Sequence, residues 1–262
     1  MVVPYHGSGT SGPLGRFVRD AMSHAWSPGE VARLALRNRP DTAPPSELAW
    51  LLASGSTYAE QVGLDVAAGL VPGCPDADMK LVLATAVADE AKHSAVFHAY
   101  ARAVGGSVEE PSDAVEELSR DLWSLDDHTA RFVAHTLAEG FAADEFHWFE
   151  RGLAADGLGE IYRLVRRDES RHVALGMSYL TRGPGADRLR RLPESLLLAS
   201  EQIVLRHTDV EALGSLVHRL VPEADAARVA EWFRVRHETR MRVLTNVRGD
   251  AHEPLRRRKP TI

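Results

Sequence analysis

One pattern constrains this chain more than any other. Asp168-Glu169-Ser170-Arg171-His172 repeats the form of Asp89-Glu90-Ala91-Lys92-His93, an Asp-Glu-x-x-His run in each case. Glu139, within Leu137-Ala138-Glu139-Gly140, precedes Glu169 by 30 residues, and Glu60, within Tyr58-Ala59-Glu60-Gln61, precedes Glu90 by the same 30. The whole set therefore recurs at a single offset of 79 residues. In a helix, Glu at i and His at i+3 project from one face, one turn apart. Four carboxylates and two imidazoles at these spacings are what a four-helix bundle needs to hold two metal ions.

The rest of the sequence agrees with an all-α fold. Long stretches rich in Ala, Leu, Arg and Glu favour helix, and alternating β-branched runs are scarce. A chain of 262 residues can bury a substantial core. Its formal charge of −6 gives no global attraction to nucleic acid. A single cysteine, Cys74, excludes an internal disulfide framework. No apolar run approaches the ~20 residues that span a bilayer, and no signal-peptide pattern opens the chain. The expectation is a cytoplasmic protein that uses neither membrane nor nucleic acid as a partner.

Four regions follow from the punctuation. Residues 1–44 form an N-terminal extension with short helix, broken near Ser27-Pro28-Gly29, where Ser27 and Glu30 read as a capping box. Residues 45–182 hold the bundle. Its first helix opens after Pro44-Pro45 at Ser46 and carries Ala53, Ser56, Glu60, Gly63, Leu64 and Ala67 inward. Asp76 or Asp78 caps the second, which Gly105-Gly106 stops. A connecting helix at about 111–123 returns the chain, the third helix spans about 126–154, and Asp156-Gly157 turns it into the fourth. Gly183-Pro184-Gly185 reads as the end of that fourth helix. Accessory helices packed on the bundle follow over 183–248, and residues 249–262 form a basic tail, read as a solvated end.

The six residues make chemical sense as a dinuclear site. Each Glu-x-x-His helix supplies one imidazole to one ion and a carboxylate able to bridge to the other. Glu60 and Glu139 can each terminate one ion. Each Glu falls on the apolar stripe of its helix, where an unpaired charge is costly. Two divalent ions nearly balance four carboxylates, and this donor set suits iron or manganese better than structural zinc. Asp168 can reach the far ring nitrogen of His93, and Asp89 that of His172, fixing the orientation of each ring.

This motif set resembles the ferritin-like superfamily of di-iron carboxylate proteins over residues 45–182. That superfamily includes ferritins, rubrerythrins, the radical-generating subunit of ribonucleotide reductase and several oxygenase families. The resemblance implies a ferritin-like four-helix bundle with a dinuclear metal centre plus additional N- and C-terminal helices. It implies Glu60, Glu90, His93, Glu139, Glu169 and His172 as ligands and catalytic residues, two iron ions with manganese as the alternative, and O2 as co-substrate.

Within that resemblance, the expected function is a non-haem di-iron oxygenase or oxidase acting on a small organic molecule, by hydroxylation, N-oxygenation, desaturation or oxidative cleavage, in a biosynthetic pathway. Electrons would come from a ferredoxin or reductase, since the chain shows no flavin or nicotinamide motif, and a homodimer is expected. Two alternatives stand beside it. One is a protein like the small subunit of ribonucleotide reductase, although Phe97 occupies the position where that family normally carries its radical tyrosine. The other is a ferroxidase like ferritin or rubrerythrin. The arylamine N-oxygenases add a ligand histidine where this chain has Val165. Candidate pocket residues are Ser56, Gly63, Phe97, Thr136 and Ala143, on the same faces as the ligands; small side chains beside Glu60 and Glu139 leave room for substrate, with tight helix–helix packing as the competing reading. His135, one turn before Glu139, is a second-shell candidate, with a satisfied core histidine as the competing reading. Of the cluster Glu145, His147 and Glu150, Glu145 and His147 do not follow the Glu139 stripe and read as outer-face residues.

Overall fold

Each long apolar stripe becomes one helix of two hairpins. A computed structural model describes residues 14–39 and 47–249. The expected start of the first long helix at Pro44-Pro45-Ser46 and the basic tail beyond Gly249 lie outside the described residues. Among the described residues there are eleven α-helices and no strand. Two short helices come first, α1 (Gly15–Ser23) and α2 (Pro28–Asn38). The first hairpin pairs α3 (Glu47–Gly73) with α4 (Ala77–Gly105). After α5 (Asp113–Trp123), the second pairs α6 (His128–Gly152) with α7 (Leu158–Thr181) across a single 3-10 turn, Ala154–Asp156. Four helices follow: α8 (Gly183–Arg191), α9 (Glu194–Arg206), α10 (Val210–Leu220) and α11 (Ala226–Arg248).

Helix ends follow local chemistry. The Asp76 side chain accepts from the Met79 amide and starts α4. Asp127 accepts from the Thr129 and Ala130 amides at 2.8 and 2.9 Å and starts α6. Gly106 closes α4 in the left-handed conformation, φ +77°, where a β-carbon would be strained. Two expectations need correction. Ser27 does precede α2, but no side-chain capping bond forms there. Gly183-Pro184-Gly185 does more than end the fourth helix. Arg182 is extended, and a new helix, α8, begins at once with Pro184 in its first turn, where a missing N–H costs nothing.

The core has two apolar halves. At one end, Phe97, Tyr100, Phe146, Phe149 and Tyr162 pack with Leu158 and Ile161. At the other, Val66, Leu70, Met79, Leu83, Phe132, Val133 and Leu180 pack together with residues of α8 to α11. Glu60, Glu90, Glu139 and Glu169 lie along the four helices between these halves, all buried. The helices α9, α10 and α11 all contact α6 and cover the side of it that a bare bundle would expose to solvent. No helix among the described residues is long and apolar enough to cross a membrane.

Candidate metal centre

The charged layer consists of two overlapping sets. Glu60, Glu90, His93 and Glu169 each offer one ligand atom within 4.8 Å of the others, and so do Glu90, Glu139, Glu169 and His172. The two sets share Glu90 and Glu169. The approximate two-fold repeat of the sequence thus reappears as a two-fold arrangement of donors. Each helix contributes its member because the ligand faces the bundle axis on the same stripe as its apolar neighbours.

Each histidine turns its Nδ1 into the layer and its Nε2 outward. His93 Nδ1 lies 2.9 Å from Glu169 and 3.1 Å from Glu60, while Nε2 lies 3.4 Å from Asp168. His172 Nδ1 lies 3.1 Å from both Glu90 and Glu139, while Nε2 lies 3.3 Å from Asp89. A carboxylate behind the imidazole holds the ring and its tautomer, leaving Nδ1 free as a donor to a metal.

The two Asp residues are themselves held. Arg171 bonds to both, at 2.9 Å to Asp168 and in a closer pair with Asp89. Lys92 reaches Asp89 at 2.6 Å and Asp168 at 3.6 Å. The indole N–H of Trp26, from the loop before α2, donates to Asp168 at 2.9 Å. Trp26 stacks on His93 and receives the Lys92 ammonium on its face, 5.0 Å from the ring centroid. Sequence reasoning passed over these three residues. Lys92 and Arg171 were legible, since each stands three residues after its Asp; Trp26 was not, since a contact spanning 142 residues leaves no local pattern.

The electrostatics show a cluster built for cations. Burial pushes the Glu60 and Glu139 carboxyls well above the usual range, and repulsion from Glu169 and Glu90 adds to it. Burial acts the same way on Glu90 and Glu169. There, hydrogen bonds outweigh it, from His172 and His93 to Glu90 and from Glu139 to Glu169, and hold both below the usual range. Burial would lower His93 and His172, but their carboxylate neighbours raise both well above the ordinary imidazole value. Protons thus serve as the counter-charge that metal ions would replace. The donor set fits such ions on a second observation: Glu90 Oε1 and Glu169 Oε1, in the two shared carboxylates, are buried and lie 3.1 and 2.9 Å from His172 Nδ1 and His93 Nδ1 without a well-aligned hydrogen bond. Buried oxygens left this way are costly unless something coordinates them.

A cavity of about 360 Å³ opens against this layer. Its wall includes Glu60, Glu90, Glu139 and Glu169, then runs between α3 and α6 beneath residues of α5, α9 and α10. The volume falls in the range of small-molecule sites. Of the pocket candidates, Ser56 and Gly63 line it. Gly63 also makes room for a ligand: a β-carbon there would sit 2.8 Å from Glu90 Oε2. Phe97, Thr136 and Ala143 do not line it. Phe97 packs on Tyr162 and Phe146 in the apolar half above, and the Thr136 hydroxyl donates to the Phe132 carbonyl. These three share a face with the ligands but lie at heights where helix meets helix.

His135 does line the cavity, with its Nδ1 3.1 Å from Glu139. Burial pushes its pKa down to about 4, so the ring is neutral near pH 7. Glu145 corrects the outer-face reading. It lines the cavity, because α9 and α10 cover that side of α6. His147 stacks on Trp232, and Glu150 pairs with Arg166 at 2.7 Å, so neither joins the site.

No family model matches the sequence, and no curated protein matches it. Solved structures do. A variant of R2-like ligand-binding oxidase with aerobically reconstituted Mn/Fe cofactor superposes with a TM-score of 0.70 at 16% identity, covering 92% of this chain and 99% of that one. R2-like ligand-binding oxidase with aerobically reconstituted metal cofactor after photoconversion gives the same TM-score, identity and coverage, 0.70, 16%, 92% and 99%. A third variant, with anaerobically reconstituted Mn/Fe cofactor, gives 0.68 at 16% identity over 92% and 98%. This likeness shows the fold, a ferritin-like helical bundle extended at both ends.

Proposed function

We propose that the protein is a dinuclear non-haem metal oxidase that uses O2 to oxidise a small, largely apolar molecule. The single observation that carries this reading is that one cavity wall contains four carboxylates of the layer. A storage site needs no apolar chamber beside its metals, whereas an oxidase must seat an organic molecule there. Glu60 and His93 would hold one ion and Glu139 and His172 the other, with Glu90 and Glu169 between them. Iron at both positions, or manganese with iron, suits this mixed imidazole and carboxylate set. The solved relatives carry Mn/Fe cofactors, which supports the same choice. Neither the reductase-subunit nor the ferroxidase alternative is favoured.

When bound, the metal pair would supply the reducing electrons and the coordination positions at which O2 reacts. The chain's own residues do the rest. Asp168 and Asp89 orient the two imidazoles. His135, neutral and with Nδ1 3.1 Å from Glu139, places an imidazole at the cavity wall. The apolar walls exclude water from the reacting molecule. Electrons for repeated turnover would come from an external ferredoxin or reductase.

The test loads the protein anaerobically with Fe(II), counts metal by mass spectrometry and follows O2 with an electrode as air is admitted. About two metals per chain and O2 uptake that Glu90→Ala and Glu169→Ala abolish are expected. Fewer than about two metals, or uptake unchanged in those variants, would remove the reading.

A further inference from the structure

Away from the carboxylate layer, one polar side chain of the cavity, Glu145, has no hydrogen-bond or ion-pair partner among the described residues. Ser56 shares a hydrogen bond with Tyr162 at 2.9 Å, and His135 lies 3.1 Å from Glu139. His207 turns its Nε2 to Asp121 at 2.9 Å, and the Thr208 hydroxyl donates to the Val204 carbonyl at 2.9 Å. Glu145 has neither a hydrogen bond nor an ion pair among the described residues. Its neighbour Asp144 takes the nearby cations, with Arg236 at 2.5 Å and Arg240 at 2.8 Å. An acid left alone in an apolar chamber is costly, and burial together with the Asp144 charge pushes it up to about 7.

We propose that Glu145 is the specificity-determining residue of this cavity and that the molecule taken there carries a protonated amine on an apolar body. The inference rests on reading the cavity as the substrate site. No Lys or Arg lines the cavity, so an anionic group has no partner away from the metals. A cation does: the Glu145 carboxylate ionises on pairing with it, and two aromatic side chains, Phe146 and Phe149, share the wall. Along α6 the six residues from Glu139 to Glu145 rise about 9 Å. An amine seated at Glu145 therefore leaves the far end of an extended molecule at the carboxylate layer, and the position oxidised is remote from the nitrogen.

The experiment uses three probes of one length, n-octylamine, n-octanol and n-octanoate, titrated by calorimetry into iron-loaded protein kept anaerobic at pH 7.5. Octylamine is expected to bind at least about tenfold tighter than octanol, as a hydrogen bond to a charged group implies, with octanoate weakest. In Glu145→Gln and Glu145→Leu, that amine preference is expected to vanish while octanol still binds. Octanol or octanoate binding the wild type as tightly as the amine would overturn the proposal. So would an amine preference that survives both substitutions, because the amine would then sit on the metals. If a variant no longer binds octanol, its chamber has collapsed and the ranking of the three probes in the wild type decides. Metal content of the same samples reports on the oxidase reading separately: amine preference without bound metal keeps the Glu145 assignment, and bound metal without amine preference removes it.

Discussion

Asp168→Asn changes one oxygen to an amide and no volume, yet it is expected to be among the most damaging substitutions in the chain. The carboxylate is 1% exposed. It accepts from Trp26 Nε1 at 2.9 Å and Arg171 Nη1 at 2.9 Å, and lies 3.4 Å from His93 Nε2. All three groups present hydrogens when His93 keeps Nδ1 for a metal. An amide has one oxygen for them, so its NH2 must face either Arg171 or the Trp26 and His93 pair. A buried donor is left against a donor in both orientations. Breaking a buried charged network of this kind costs about 3–5 kcal/mol. At about 2–4 °C per kcal/mol for a chain of this size, the melting temperature should fall by about 6–20 °C. The metal affinity should fall about 10–100-fold as His93 loses its orienting partner. The charge sign fixes the pH range. Burial raises the Asp168 carboxyl, but His93 and Arg171 outweigh it and hold it well below its ordinary value. Its stabilisation is therefore present above the ordinary carboxylate pKa and is lost as pH falls through its lowered folded value, so the deficit should hold steady between about pH 5 and 6, below the range in which His93 titrates. Calorimetric melting and a chelator competition read both quantities. Glu160→Gln serves as the control, since Glu160 pairs with Arg163 at 2.7 Å on the surface and should cost no more than about 0.5 kcal/mol. A variant at Asp168 that melts and binds metal like that control would refute the reasoning.

Three further outcomes are expected. Gly63→Val should lower metal affinity by about 10–100-fold with little loss of helicity by circular dichroism, because its β-carbon meets Glu90 Oε2 at 2.8 Å. Glu145→Gln should be more stable than wild type as pH rises from 5 to 7.5, by up to about 3 kcal/mol. The sign follows from a folded pKa raised to about 7: the wild type loses stability as that group ionises, and denaturant titrations at several pH values show the gap opening or staying closed. Phe97→Ala should cost about 3–5 kcal/mol in the same titrations, since the ring is fully buried and packs 5.0 Å from Tyr162 and 6.0 Å from Phe146.

Much of the layer was legible because its chemistry is periodic. Glu60, Glu90, Glu139 and Glu169 fall on apolar stripes, and the i, i+3 spacing to His93 and His172 is set by the helix alone. The same holds for the cap at Asp76 and for the stop at Gly106. The helix α8 was not legible, because Gly-Pro-Gly signals a break equally well before a helix and after one. Thr136, Ala143 and Phe97 show the limit of a stripe: it says which way a side chain points and not whether a helix or a void lies opposite.

The sequence by itself therefore indicated the fold class, the six candidate donors and the pairing of each Asp with its imidazole across the bundle, because all of these depend on helical period and on charge that cannot be buried alone. Only the tertiary structure decided where the chamber lies and what lines it. The side of α6 that carries Glu145 faces solvent in a four-helix bundle and faces a cavity here, because α9 and α10 pack over it. Trp26 reaches Asp168 for the same reason, through a contact between distant segments that no local pattern encodes.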